Sequence, residues 1–120
     1  KYGCGVGDCG ACSVLRGDES VLSCLALAVE ADGWEITTVE GLADGDQLNP
    51  VQQAFLDNSA VQCGFCVPGM VITATALLRE NNDPSEAEIK DYLRGNYCRC
   101  TGYVAMIKSV RDAAAKLRGE

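Results

Sequence analysis

The sequence predicts an α+β fold in which short strands come first and helices follow. Residues 1–41 are rich in glycine and in residue types that favour strands, whereas residues 42–120 show apolar positions at helical spacing behind helix-capping residues. A length of 120 residues and a hydrophobic content of 48% allow one ordinary domain or two very small ones. The change in character near residues 41–46 predicts the boundary between the two parts.

Three short strands are predicted in the first part, at residues 13–16, 20–23 and 34–39. The turn residues Gly17 to Glu19 separate the first two strands and favour a β-hairpin. Residues 25–31 are apolar and fit either a short helix or a strand. Three strands make a thin sheet, and the chain opens at Lys1 directly before a cysteine motif, so we expect further natural sequence ahead of it.

Four helices are predicted in the second part, at about residues 50–56, 68–82, 85–94 and 104–117. Asn49 followed by Pro50 places a capping residue before a proline at the first helical position. Ser85 and Glu88 have the spacing of a capping box at the start of the third helix. Four short helices predict a small bundle.

The charge balance and the apolar pattern exclude several functional classes. Seventeen acidic and ten basic residues give a net charge of −7, which argues against a nucleic-acid partner. No apolar run approaches the roughly 20 residues of a membrane span, and no basic segment leads into an apolar signal-peptide core. We therefore expect a cytoplasmic protein, in a compartment that keeps thiols reduced.

Eight cysteines and no histidine are the main compositional fact. Without histidine there is no Ser-His-Asp or Cys-His catalytic arrangement. The same absence excludes Cys2His2 zinc fingers, Rieske clusters and haem attachment at a C-x-x-C-H motif. The cysteines are therefore the candidates for the chemistry of this chain.

The first cysteine group consists of Cys4, Cys9, Cys12 and Cys24. Its first three members have the C-x4-C-x2-C spacing of plant-type [2Fe–2S] proteins, in which one loop supplies three thiolates and a distant cysteine supplies the fourth. Glycines at positions 3, 5, 7 and 10 predict positive φ angles and close backbone approach, with amides directed at sulfur. A zinc ribbon, a disulfide knot and buried free thiols are the alternatives.

The second cysteine group consists of Cys63, Cys66, Cys98 and Cys100. Cys63 and Cys66 form a C-x2-C pair, and Cys98 and Cys100 form a C-x-C pair. Each pair precedes a predicted helix, where free amides and the positive end of the helix dipole favour an anionic thiolate centre. The pattern favours a second [2Fe–2S] cluster over a zinc site or a thioredoxin-like redox pair, and the zinc site remains the stronger alternative.

Three segments carry a resemblance to a known family: residues 1–14 (KYGCGVGDCGACSV), 61–70 (VQCGFCVPGM) and 93–103 (LRGNYCRCTGY). Together they resemble the iron–sulfur subunit of the xanthine dehydrogenase/aldehyde oxidase family, the molybdenum hydroxylases. The resemblance implies a plant-ferredoxin-like β-grasp domain, lacking its N-terminal part, at residues 1–41. It implies a four-helix [2Fe–2S]-binding domain at residues 42–120.

The resemblance also implies roles for individual residues. The first cysteine group would hold the cluster nearer the flavin, and the second cysteine group the cluster nearer the molybdenum. Gln62 occupies the position of a family glutamine that reaches the molybdopterin; an ordinary polar loop residue is the alternative. Val67 departs from the family, which usually has serine or threonine there. No residue of this chain is expected to be catalytic.

The implied function is electron transfer within a molybdenum hydroxylase. Single electrons would pass from the molybdopterin centre through the two clusters to FAD. The implied partners are a large molybdenum-cofactor subunit and a medium FAD subunit, assembled as a dimer of heterotrimers. A freestanding two-cluster ferredoxin-like carrier and a structural zinc module are the competing functions.

Overall fold

The computed structural model describes residues 1–120 and confirms an α+β fold with a small sheet and four helices. The strands are β1 Ser13–Arg16, β2 Glu19–Leu22 and β3 Ile36–Thr37. The helices are α1 Pro50–Asp57, α2 Val67–Glu80, α3 Glu86–Leu93 and α4 Tyr103–Leu117. Short 3-10 helices occupy Ser23–Leu25 and Val39–Leu42.

The sheet is antiparallel, with the strand order β2-β1-β3. The predicted hairpin is confirmed: Val14 pairs with Val21, and Gly17 adopts φ +58 in the turn. The third strand is shorter than the predicted 34–39, because Val39 already begins a 3-10 helix. Only two of its residues pair with β1, through Leu15 and Arg16.

Residues 25–31 form neither the helix nor the strand that their apolar character allows. After the 3-10 helix they run through turns, held by local hydrogen bonds such as that from the Glu30 amide to the Leu27 carbonyl at 3.0 Å. Leu25, Leu27 and Val29 are more than half exposed. Leu25 lies against Gly7 of the first cysteine loop, but Leu27 and Val29 stay largely exposed, so burial of these side chains does not stabilise a regular element.

The helices begin at the predicted capping residues. The Asn49 side chain accepts from the Gln52 amide, and Ser85 does the same for the Glu88 amide, each completing a capping box. α2 and α4 begin one residue earlier than predicted, a difference within the usual uncertainty of helix ends. None of the helices combines the length and the apolar character that crossing a membrane requires.

α2 is the centre of the molecule. All residues from Gly69 to Leu78 are buried, because the sheet covers one side of the helix and the other helices cover the rest. Leu15 of β1 packs against Ile72 and Ala76 of α2, and the larger apolar core lies among the four helices. The strand part and the helical part therefore share α2, and its N-terminus lies between the two groups of cysteines.

Candidate metal centres

The hairpin brings the first cysteine group together. Cys12 directly precedes β1 and Cys24 follows β2, so the antiparallel pairing of Ser13 with Leu22 returns the chain to the same end of the sheet. The Ser23 hydroxyl fixes this return by donating to the Cys12 carbonyl at 2.8 Å. The thiols of Cys12 and Cys24 are within hydrogen-bonding reach of each other, as are those of Cys4 and Cys9.

Three backbone amides point at the Cys4 sulfur. The amides of Val6, Asp8 and Cys9 donate to Cys4 Sγ at 3.4, 3.3 and 3.4 Å. These hydrogen bonds lower the pKa of the Cys4 thiol to about 6, with the Val6 amide as the largest cause. The loop is therefore built to stabilise a thiolate, as the sequence predicts.

The glycines of this loop are required for two different reasons, a positive φ angle or a close approach of another atom. Gly5, Gly7 and Gly10 adopt φ between +70 and +84, as predicted, and the amides that follow Gly5 and Gly7 donate to the Cys4 sulfur. The predicted positive φ at Gly3 is wrong. A Cβ at Gly3 would lie 2.6 Å from Cys9 Sγ, so this glycine is required by the close approach of the sulfur.

The second cysteine group lies where α2 and α4 begin. Cys63 and Cys66 precede α2, and Cys98 and Cys100 precede α4. The Cys63 thiol is within hydrogen-bonding reach of Cys100, and the Cys66 thiol is within reach of Cys98. All four line one small cavity, together with Gln62, Gly64, Val67 and Met106.

The four sulfurs of this group differ in environment. Burial raises the pKa of the Cys66 thiol to about 12, and its contact with Cys98 acts in the same direction. The pKa of the exposed Cys63 is lowered, chiefly by a hydrogen bond from the Phe65 amide. A buried thiol with a raised pKa stays protonated unless a metal ion binds it, so Cys66 would release its proton on binding a metal.

No disulfide joins any of the eight cysteines, and each group consists of two neighbouring pairs. No three cysteine or carboxylate side chains converge closely enough to hold one metal ion. A structural zinc ion needs four ligands around a single point, whereas a two-iron cluster needs two thiolates on each iron. The paired arrangement therefore fits a [2Fe–2S] cluster at each group.

The two groups lie next to each other. Members of both line a cavity of about 310 Å³, which also includes Phe65, Tyr97 and Arg99. The Tyr97 amide donates to the Cys9 carbonyl at 2.9 Å and so joins the first loop to the segment before Cys98. Gln62 is exposed, and its Nε2 donates to the Cys100 carbonyl at 3.2 Å.

Sequence reasoning did not reveal the contacts of three residues at these centres. The Tyr103 hydroxyl accepts from the Cys98 amide at 2.7 Å, and Asn96 donates to the first loop. Gly69 faces the Gly10 carbonyl, at a distance that admits no side chain. All three lie within the motif segments 61–70 and 93–103, which is the one sequence signal for them. That signal does not reveal that Gly69 and Asn96 meet Gly10, which is 59 and 86 residues away along the chain.

Comparison with known proteins identifies the family. The family model of the [2Fe-2S] binding domain matches residues 38–111. The nicotinate dehydrogenase small FeS subunit of Eubacterium barkeri is 47% identical over 116 residues, which are 97% of this chain and 74% of that protein. The chain belongs to the iron–sulfur subunits of the molybdenum hydroxylase family. The xanthine dehydrogenase iron–sulfur-binding subunit of Escherichia coli O157:H7 is 48% identical, over 93% of this chain and 72% of that protein.

Solved structures of molybdenum hydroxylases share the fold of this iron–sulfur subunit. The match to quinoline 2-oxidoreductase from Pseudomonas putida 86 covers all of this chain and 76% of the matched chain of that enzyme, with a TM-score of 0.92 and 47% identity. The aldehyde oxidoreductase of Desulfovibrio desulfuricans also matches all of the chain, with a TM-score of 0.94 and 45% identity, but the match covers only 14% of that longer protein. This iron–sulfur subunit is thus part of an oxidoreductase, contains a [2Fe–2S]-binding domain and has an electron-transfer role.

Proposed function

We propose that this chain relays single electrons from a molybdopterin centre through two [2Fe–2S] clusters to FAD in partner subunits. The observation that carries the proposal is the arrangement of all eight cysteines as two adjacent groups of two neighbouring pairs. Each cluster, when bound, takes up and releases one electron. The residues of this chain hold the clusters, exclude water from them and set their potentials through burial and hydrogen bonds to sulfur.

In this proposal residues 1–41 belong to a plant-ferredoxin-like β-grasp domain that holds the first cluster. Cys4 and Cys9 would ligate one iron, and Cys12 and Cys24 the other, because these thiols are the neighbouring pairs. The amides on Cys4 Sγ stabilise the additional negative charge of the reduced state. This cluster would be the one nearer FAD.

Residues 42–120 form the second proposed domain, with Cys63 and Cys100 on one iron and Cys66 and Cys98 on the other. Cys63 is exposed beside Gln62, whereas Cys66 and Cys98 are buried. We place the molybdenum subunit on the exposed side. Gln62 would contact the molybdopterin, since its side chain is exposed and only its Nε2 is engaged.

A large molybdenum-cofactor subunit and a medium FAD subunit are the proposed partners, in a dimer of heterotrimers. The support comes from relatives that are themselves named as small subunits, such as the nicotine 6-hydroxylase small subunit of Paenarthrobacter nicotinovorans, 47% identical over 98% of this chain and 70% of that protein. A freestanding carrier is the competing function. Co-purification with a molybdenum chain and a FAD chain supports the subunit, and a protein that purifies alone and shuttles electrons supports the carrier.

Metal analysis with EPR spectroscopy of the dithionite-reduced protein tests the cluster assignment. We expect iron without zinc and two distinct [2Fe–2S] signals. Cys9→Ser and Cys98→Ser form a matched pair: the first should abolish only the signal of the first cluster and the second only that of the second. Zinc in place of iron, or both signals lost together in each variant, would contradict the assignment.

A further inference from the structure

Two consecutive residues before Cys98 hold two consecutive carbonyl groups of the first cysteine loop. The Tyr97 amide donates to the Cys9 carbonyl at 2.9 Å, and Asn96 Nδ2 donates to the Gly10 carbonyl at 3.3 Å. Cys9 belongs to the first cysteine group, and Tyr97 is bonded to Cys98 of the second. The hydrogen bond between Tyr97 and Cys9, together with the peptide bond from Tyr97 to Cys98, therefore joins the two cysteine groups.

The backbone is tightly packed at this junction, where residues 95–97 meet the first cysteine loop and the start of α2. A Cβ at Gly10 would lie 2.5 Å from the Gly95 carbonyl oxygen and 2.6 Å from Asn96 Nδ2. A Cβ at Gly69 would overlap the Gly10 carbonyl oxygen. The first loop, the start of α2 and the α3–α4 connection are thus in direct backbone contact, and this contact determines how far apart the two cysteine groups lie.

Asn96 is the side chain that crosses the junction. It is only 6% exposed, and its own amide donates to the Leu93 carbonyl at 2.9 Å, which fixes it to the end of α3. The Gly10 carbonyl also accepts from the Ser13 hydroxyl at 2.7 Å, so without Asn96 it remains hydrogen-bonded within its own loop. Asn96 therefore serves the link between the two segments and not the internal structure of the first loop.

We propose that Asn96 is a positioning residue that fixes the separation and orientation of the two cysteine groups, and thereby the electron transfer between them. The inference rests on the proposed two-cluster function. In the step concerned, the second cluster is oxidised by one electron and the first is reduced by it, and no bond is made or broken. The rate of such a step depends on the distance and orientation of the two centres, which Asn96 controls without contacting either one.

The test compares three variants of the full chain, purified in its complex and reduced with dithionite. Asn96→Ala removes the donor, and Asn96→Asp places an acceptor oxygen opposite the Gly10 carbonyl. Asn58→Asp is the control for a disruptive substitution at the end of α1, because Asn58 donates to the Ala54 carbonyl at 2.9 Å and also to the Asp112 carboxylate at 2.9 Å. The readouts are the magnetic splitting between the two EPR signals and the rate at which an electron passes between the clusters.

We expect both signals in every variant, a smaller splitting and slower transfer in Asn96→Ala, a larger effect in Asn96→Asp and wild-type behaviour in Asn58→Asp. Unchanged splitting and transfer in both Asn96 variants would overturn the proposal, and so would an equal loss in Asn58→Asp. If Asn96→Asp does not fold, the result for Asn96→Ala decides the test, because in that variant the Gly10 carbonyl still accepts the hydrogen bond from Ser13. A wild-type protein with fewer than two [2Fe–2S] signals would instead contradict the proposed function.

Discussion

At the scale of single residues, Gly3 shows how closely the first loop fits its sulfurs. Its φ is ordinary, and only the 2.6 Å approach of a hypothetical Cβ to Cys9 Sγ excludes a side chain. We expect Gly3→Ala to lower the free energy of unfolding by about 1 to 3 kcal/mol and to weaken the EPR signal of the first cluster selectively. Gly95→Ala is the control, because a Cβ there meets nothing within 4 Å. Equal effects of the two substitutions on the first signal would contradict this explanation.

Val67, where the family resemblance predicts serine or threonine, lines the cavity of the second cysteine group. A hydroxyl there can donate to a cluster sulfur and stabilise the more negative reduced state. We expect Val67→Thr to raise the reduction potential of the second cluster by on the order of tens of mV, given the strength of one hydrogen bond to a charged group. The potential of the first cluster should not change.

An EPR-monitored redox titration measures both potentials in the same sample. Val104→Thr is the control, because it makes the same change near the start of α4 at a side chain that is 84% exposed. A lower potential in Val67→Thr, or an equal shift in Val104→Thr, would show that the hydroxyl does not act on the cluster.

The grouping of the cysteines could be predicted from the sequence because ligand spacing is a local property. Cys4, Cys9 and Cys12 lie in one loop, and C-x2-C or C-x-C pairs need only a few residues to bring two sulfurs together. The role of Asn96 could not be predicted in this way. Its partner, Gly10, is 86 residues away, and the contact exists only once α2 and α3 have packed.

At the scale of secondary-structure elements, α3 depends on the capping box at its start. The Glu88 amide donates to Ser85 Oγ at 3.2 Å, and the Ser85 amide donates to the Glu88 carboxylate at 2.8 Å. We expect Ser85→Ala to lower the free energy of unfolding by about 1 kcal/mol at neutral pH. Urea titration of the variant and the wild type measures the difference.

This capping box also predicts a dependence on pH. The hydrogen bond from Ser85 holds the pKa of the Glu88 carboxyl below its usual value. Because the folded-state pKa is the lower one, the carboxylate stabilises the fold above its unfolded pKa, and this contribution is lost as the pH falls through the folded-state pKa. The difference between the wild type and Glu88→Gln should therefore shrink on acidification. A constant difference would contradict the role of the charge.

Secondary-structure elements could be predicted where local sequence signals determine them, and less well where packing against other elements determines their extent. The hairpin and all four helices follow from turn residues, proline positions and caps, which act within a few residues. The third strand pairs with only two residues of β1, and residues 26–31 remain in turns with Leu27 and Val29 largely exposed. Both outcomes depend on neighbours that a local pattern does not contain.

At the scale of the whole molecule, the charge is unevenly divided. Seven acidic and two basic residues lie in residues 1–41, whereas residues 42–120 contain ten acidic and eight basic residues, so five of the seven net negative charges belong to the strand part. The two parts are nevertheless joined: Arg79 of α2 pairs with Asp18 of the hairpin turn at 2.9 Å, and Leu15 is fully buried against α2. The acidic part is thus fixed to the helices and is not a separate tail.

Ile72 tests whether the two parts fold as one unit. Its side chain is fully buried in α2 against Leu15 of β1, so Ile72→Ala leaves a cavity between sheet and helices and should cost about 2 to 5 kcal/mol. Trp34, the only tryptophan, reports on the sheet by fluorescence, and far-UV circular dichroism reports on the helices. We expect both transitions to move together in urea, because each part loses the surface on which the other packs. Ile36→Ala, at a side chain 46% exposed, should cost far less. A fluorescence transition that shifts while the helical signal stays in place would show that the sheet unfolds on its own.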